Sequence, residues 1–161
     1  MNNNTSSFLR AAGLGAVAGM RTFLAPAIIS HFYSRHKSQN IEGSAVGFVQ
    51  TIPTSKVFKV LAAGELIGDK MPMAPNRTEA PGLIGRIVTG VFTGATIYKA
   101  DSKNALLGGL IGGTAAAAAT FGCFFLRTTL NKKTALPNFV TGACEDALAI
   151  TLGAKLISSN R

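Results

Sequence analysis

Between Asn104 and Leu126 the chain carries no charged residue, and at about 1.5 Å per residue such a run can cross a ~30 Å hydrocarbon layer as one helix. A helix that is apolar on every side belongs in lipid or deep in a large core. Gly108, Gly109, Gly112 and Gly113 form two overlapping Gly-x-x-x-Gly pairs in it, and residues 115–119 are all alanine. A strip this smooth invites another helix backbone to approach closely.

Other stretches read the same way. Residues 8–32, 82–100 and 138–157 are further apolar runs, and Gly15 with Gly19 and Gly90 with Gly94 repeat the four-residue spacing. Residues 56–71 are marginal, because at ~1.5 Å per residue they cover only about 24 Å; such a helix must tilt, extend into its flanks or lie among other helices. A polar connection, 33–55, precedes it, and its mildly apolar part, 43–52, is too short to cross and could lie on the membrane surface. The whole sequence is 47% apolar and only 14% charged, with 18 glycines, against about 25% charged in soluble domains. The expected fold is therefore all-α: one polytopic transmembrane helix bundle over residues 1–161, with about five spans. The polar N-terminus lacks a basic n-region and a clear cleavage pattern, so the first helix is expected to act as an uncleaved anchor.

The net charge of +9 comes from 16 Lys and Arg against 7 Asp and Glu. These cations are scattered among apolar segments without a basic stripe or aromatic platform, so membrane lipids are the expected partner and nucleic acid is not. Five crossings put the two ends of the chain on opposite sides. The positive residues then divide seven against eight with Arg21 excluded, which leaves orientation open. The glycine faces also offer a surface for homo-oligomers.

Ionisable residues within apolar spans are functional candidates by default. Glu65 and Asp69 stand four apart near the end of the second span, followed by Lys70. Arg21 lies mid-way along the first span with Pro26 close behind, where the helix can kink; Arg86 sits one turn inside the third; Glu145 and Asp146 interrupt the fifth. Two carboxylates on one helix face repel, so one takes up a proton or both hold a cation. Oxygen-rich sites suit hard ions, and Glu145 and Asp146 could complete one with Glu65 and Asp69. Equally, Arg21, Lys70, Arg77 and Arg86 could neutralise these acids in an internal salt-bridge network.

Gly15-x-x-x-Gly19-x-x-Thr22-Phe23 can be laid over Gly113-x-x-x-Ala117-x-x-Thr120-Phe121, and each small-residue span is followed by a span with two acids. Five spans would run the two pairs, 1–2 and 4–5, in opposite directions, the inverted repeat of many secondary transporters. His31 and His36, five apart, share no helix face, and Cys123 and Cys144 show no metal-ligand spacing. Hydrolase elbows, zinc-binding His pairs and phosphate loops are absent. No cofactor is expected beyond a bound cation. The leading expectation is a small transporter or exchanger for a cation or a proton-coupled solute; the alternatives are a structural or assembly protein braced by its charges, and a lipid-modifying enzyme.

The residues from Gly15 to Pro26, from Gly64 to Pro72 with Arg77-Thr78, from Gly82 to Arg86, and Glu145-Asp146-Ala147-Leu148-Ala149-Ile150 together resemble the small bacterial membrane proteins grouped as domain of unknown function 4126. The resemblance covers most of the chain and implies a class without an activity; the residues it singles out are Arg21, Glu65, Asp69, Lys70, Arg77, Arg86, Glu145 and Asp146. A looser likeness is to cation exchangers with Glu-x-Gly-Asp-Lys/Arg-Ser/Thr in two inverted copies. Here Glu65-Leu66-Ile67-Gly68-Asp69-Lys70 has one residue too many, Met71 replaces Ser or Thr, and the second copy lacks the glycine and the lysine.

Overall fold

The computed structural model describes residues 3–68, 80–133 and 138–158. They form α1 (Asn3–Met20), α2 (Leu24–Tyr33), α3 (Ile52–Gly68), α4 (Ala80–Ala100), α5 (Ala105–Lys133) and α6 (Asn138–Ser158), with a 3-10 turn at Gly47–Gln50 before α3. No strand occurs among the described residues, so the class is all-α. α4 and the Ala105–Thr129 part of α5 are long and apolar enough to cross a membrane. Asp69, Lys70 and Arg77 lie outside the described residues.

Short polar residues set the helix boundaries. Asn104 opens α5 by accepting the Leu106 N–H at 2.9 Å, and Thr51 opens α3 by accepting the Thr54 N–H at 3.4 Å, satisfying donors that the first turn leaves over. α4 closes with the Lys103 N–H on the Tyr98 carbonyl at 2.8 Å and the Ser102 N–H on the Lys99 carbonyl at 3.1 Å. This paired closure needs a left-handed residue, and Ser102 takes it at φ 57.

The apolar run 8–32 corrects the expectation of one span: it is a helical hairpin. Arg10 Nη2 lies 3.5 Å from the Tyr33 hydroxyl, whereas a straight helix would hold these residues about 35 Å apart. Leu14 and Ile29 share one buried cluster, and Ala18 and Ala25 another, so α2 returns beside α1 after a turn at residues 21–23. Pro26 explains the position of the turn. Inside a continuous helix it would offer no N–H to the Thr22 carbonyl, and its ring would crowd that oxygen. Restarting at Leu24 puts Pro26 in the first turn, where the N–H would have had no helical partner anyway.

The helices then alternate in direction. Glu65, late in α3, reaches the hairpin turn; α4 returns to Asp101; α5 leaves again; and Asp146, early in α6, is back at the turn, while Gly153 lies beside Ile28 and Leu14. Two corrections follow. The described beginning and end of the chain lie at the same end of the bundle, here called the base, where five spans would separate them. The spans 1–2 and 4–5 are also not inverted copies of each other. Ser7 meets Asp101, Gly15 faces Gly112 and Gly19 faces Ala116, so α1 and α5 run parallel, while α3 and α6 run in opposite directions. The hairpin inserts a reversal that apolarity alone does not register.

The connection between α2 and α3 folds under the base with Ile41 and Val49 fully buried. It is held by the Ser38 N–H on Gln50 Oε1 at 2.7 Å and by Asn40 Nδ2 on the last carbonyl of α4, Ala100, at 2.7 Å. Above it, α1, α4 and α5 meet along their glycines. A Cβ at Gly15 or Gly19 would collide with the carbonyl oxygens of Gly112 and Ala116; one at Gly94 or Gly108 would strike the backbone oxygen of the other; one at Gly112 would strike that of Gly90, and one at Gly90 the Cβ of Ala116. The spacing of the three helices is set by backbone against backbone.

Candidate functional site

The hairpin turn ends one helix and starts another inside the bundle, so it must find partners for the backbone groups that the break releases. Arg21 still donates its N–H to the Val17 carbonyl at 2.8 Å. Beyond it the ladder stops. The Thr22 and Phe23 N–H groups, which a continuous helix would direct to the carbonyls of Ala18 and Gly19, instead donate to the two carboxylate oxygens of Glu65 at 2.7 and 2.8 Å. The Gly19 carbonyl accepts the Thr120 hydroxyl at 3.0 Å, a hydroxyl shared with the Ala116 carbonyl at 2.9 Å. Side chains from α3 and α5 thus take up both halves of the broken ladder.

Charge follows the same polarity. Arg21 stands just past the C-terminal end of α1, where the helix dipole favours a cation, and Glu65 lies at the N-terminal end of α2, where it favours an anion. Arg21 is 2% exposed. Its Nε donates to Asp146 Oδ1 at 2.6 Å, and its Nη2 pairs with the same oxygen. Asp146, 9% exposed, ties α6 to the turn. A buried charge needs such an arrangement, because removing either partner leaves the other desolvated and uncompensated.

The structure brings some candidates together and separates others. Glu65, Asp146 and Arg21 meet at the turn. Arg86, buried at 5%, lies at the same level, since its neighbour Gly85 faces the Thr22 methyl group. Glu145 turns towards α5, with its Oε2 3.9 Å from Arg127 Nη2. Gly15, Gly19, Gly90, Gly94, Gly108 and Gly112 lie in the α1–α4–α5 contact. Among the described residues no group of three or more His, Cys, Asp and Glu is close enough to hold a metal ion. Cys123 and Cys144 are not joined in a disulfide.

Sequence reasoning missed two groups. Thr120 reads in the sequence only as the counterpart of Thr22 in the short repeat, and nothing local marks it as the partner of a carbonyl 101 positions away. The other is a polar cluster at the base. Ser7 Oγ donates to Asp101 Oδ2 at 2.5 Å, Arg10 Nη1 approaches the same carboxylate at 3.3 Å, and Lys103 Nζ donates to Ser7 Oγ at 2.7 Å. Arg10 is only 3% exposed. The available signal was its position inside the first apolar run, where a cation needs a partner as much as Arg21 does.

No curated protein and no solved structure matches the chain. A family model does match, over residues 8–157, and that stretch contains the hairpin, its Glu65 cap, the Arg21–Asp146 pair and the glycine contact. The chain belongs to the family described as Domain of unknown function (DUF4126).

Proposed function

We propose that this is a multi-pass protein of the bacterial inner membrane, and that the hairpin turn is the working centre of a small transporter or exchanger for a cation or a proton-coupled solute. The reading of a membrane bundle is supported by its outer surface. Val60 and Ile67 on α3, Ile84 and Val88 on α4, Leu106, Leu110 and Phe125 on α5 and Leu148 on α6 are all more than half exposed. Apolar groups so exposed on every outer helix would favour aggregation in water and are solvated in lipid. With α1 and α2 as a hairpin, the described cations towards the base are Arg10, Arg35, Lys37, Lys56, Lys59, Lys99, Lys103 and Lys155, while Arg86 on α4 and Arg127, Lys132 and Lys133 on α5 belong to the opposite half. Eight against four among the described residues favours a cytoplasmic base.

The observation that carries the transport reading is the broken ladder held by Glu65. The turn begins eleven residues beyond Arg10, about 16 Å in from the base, close to the middle of a ~30 Å core. Non-helical backbone at that depth is tolerated where protein buries it or water lines it, and half-helix ends near the midplane are the usual place for transported ions and substrates. Glu65 and Asp146 are the acids in position, with Asp69 and Glu145 as further contributors, and Arg21 is the counter-charge. Purified protein in liposomes is expected to pass ions or protons, and Glu65→Gln and Asp146→Asn to abolish that flux in protein that remains folded. Equal flux in the variants sinks the proposal.

A second reading rests on the Arg21–Asp146 pair, whose side chains are 3% and 12% exposed. A pair this dry suits a brace in a structural or assembly protein. It predicts no flux in the wild type and a large loss of thermal stability in Asp146→Asn.

A further inference from the structure

We propose that α3 is a movable strap, closed over the hairpin turn by the Glu65 carboxylate. The turn's other partners belong to helices bound into the bundle: Thr120 lies on α5, which packs along the glycine contact with α1 and α4, and Asp146 lies on α6, which packs on both α1 and α2. Glu65 lies on the helix with the least hold. α3 buries only Ser55 and Ala62, and it packs on α2 and the 3-10 turn. Gly64 and Gly68, one turn apart, face open space, where the other glycine pairs of this spacing meet a neighbouring backbone. Among the described residues, α3 is tied to the hairpin by Lys59 Nζ with His31 Nδ1 at 2.7 Å towards the base, and by Glu65 with the Thr22 and Phe23 N–H groups at the turn. Phe58 adds a tilted ring contact with Phe92 of α4, 6.2 Å between centroids.

The consequence is a two-position element. With Glu65 seated, the two N–H groups of the turn that precede α2, those of Thr22 and Phe23, are satisfied and α3 lies against α2. With α3 displaced, those N–H groups open on the side α3 had covered, and the Arg21–Asp146 pair and the Thr120 bond remain, because neither passes through α3. A carboxylate seated on two backbone donors is a strong charge-assisted contact; neutralising it removes the charge and one acceptor of the two. This inference is independent of whether a solute passes the turn, so a failed flux assay leaves it standing.

Pulsed electron-spin distance measurements on the full chain in lipid nanodiscs test it, in a background with Cys123→Ala and Cys144→Ala. One label pair, Ala63→Cys with Ala118→Cys, reports α3 against α5; a second, Val88→Cys with Ala118→Cys, reports α4 against α5, and all three positions are exposed. With Glu65 intact both pairs are expected to give single narrow distributions. In Glu65→Gln the α3 pair is expected to lose its narrow peak to a broader, longer one while the α4 pair keeps its own, and Glu65→Asp, one methylene shorter, to fall between. An α3 distribution unchanged in Glu65→Gln overturns the proposal. Broadening of both pairs together also overturns it, since Glu65 would then brace the entire bundle.

Discussion

Arg21 is held where a lone cation could not be. Because its partner Asp146 sits on α6, 125 positions away, the pair ties the turn to the far end of the chain. Arg21→Met is expected to lower stability by about 3 to 5 kcal/mol, since it strands Asp146 as a buried unpaired charge. Arg21→Met combined with Asp146→Leu is expected to recover much of that loss, a result that thermal unfolding in detergent of the two variants and the wild type would check. Thr120→Val is a milder change. It leaves the Gly19 carbonyl without its donor at an expected cost of about 1 kcal/mol, read in the same experiment. Arg21, Glu65 and Asp146 could be singled out from the sequence because a charge in an apolar run is conspicuous. Which acid faced which donor could not, because Glu65 takes backbone N–H groups, a partner with no sequence signature.

Among the elements, the glycine contact and the α4–α5 turn make the sharpest claims. At Gly112 a methyl group would meet the Gly90 carbonyl, while at Gly122, ten residues along the same helix, it would meet nothing within 4 Å. Gly112→Ala is expected to cost about 1 to 3 kcal/mol or more by forcing α4 and α5 apart. Gly122→Ala should be neutral or stabilising by up to about 1 kcal/mol from helix propensity, and the contrast between the two separates packing from composition. Ser102 closes α4 in a left-handed conformation that costs an L-residue about 1 kcal/mol or more and glycine almost nothing. Ser102→Gly is therefore expected to raise the unfolding midpoint. α4 and the start of α5 could be read closely from their glycine spacing and the polar break at residues 101–103. The hairpin could not, because α1 and α2 together have the length and apolarity of one span.

For the molecule as a whole, the testable claim is parity. The described start of α1 and end of α6 lie together at the base, so in the proposed membrane setting Thr5→Cys and Ser158→Cys are expected to label from the same side of sealed vesicles; labelling from opposite sides would contradict the alternating order of helices. The base is also where Arg10, Asp101, Ser7, Lys103 and Tyr33 join α1, α2 and the α4–α5 turn. Their convergence fixes the register of the parallel α1–α5 contact. By itself the sequence determined that the chain is helical and rich in apolar runs, that its helices would approach along glycines, and that its few interior acids and arginines must be neutralised. Those properties follow from composition and local spacing. Tertiary structure alone decided that the first apolar run doubles back, that the two small-residue helices lie parallel, and that Glu65 and Thr120 complete a broken helix. Each depends on hydrogen-bond donors and acceptors that become available only when the backbone stops being regular, and the partners they then find are brought to the turn from distant parts of the chain by packing.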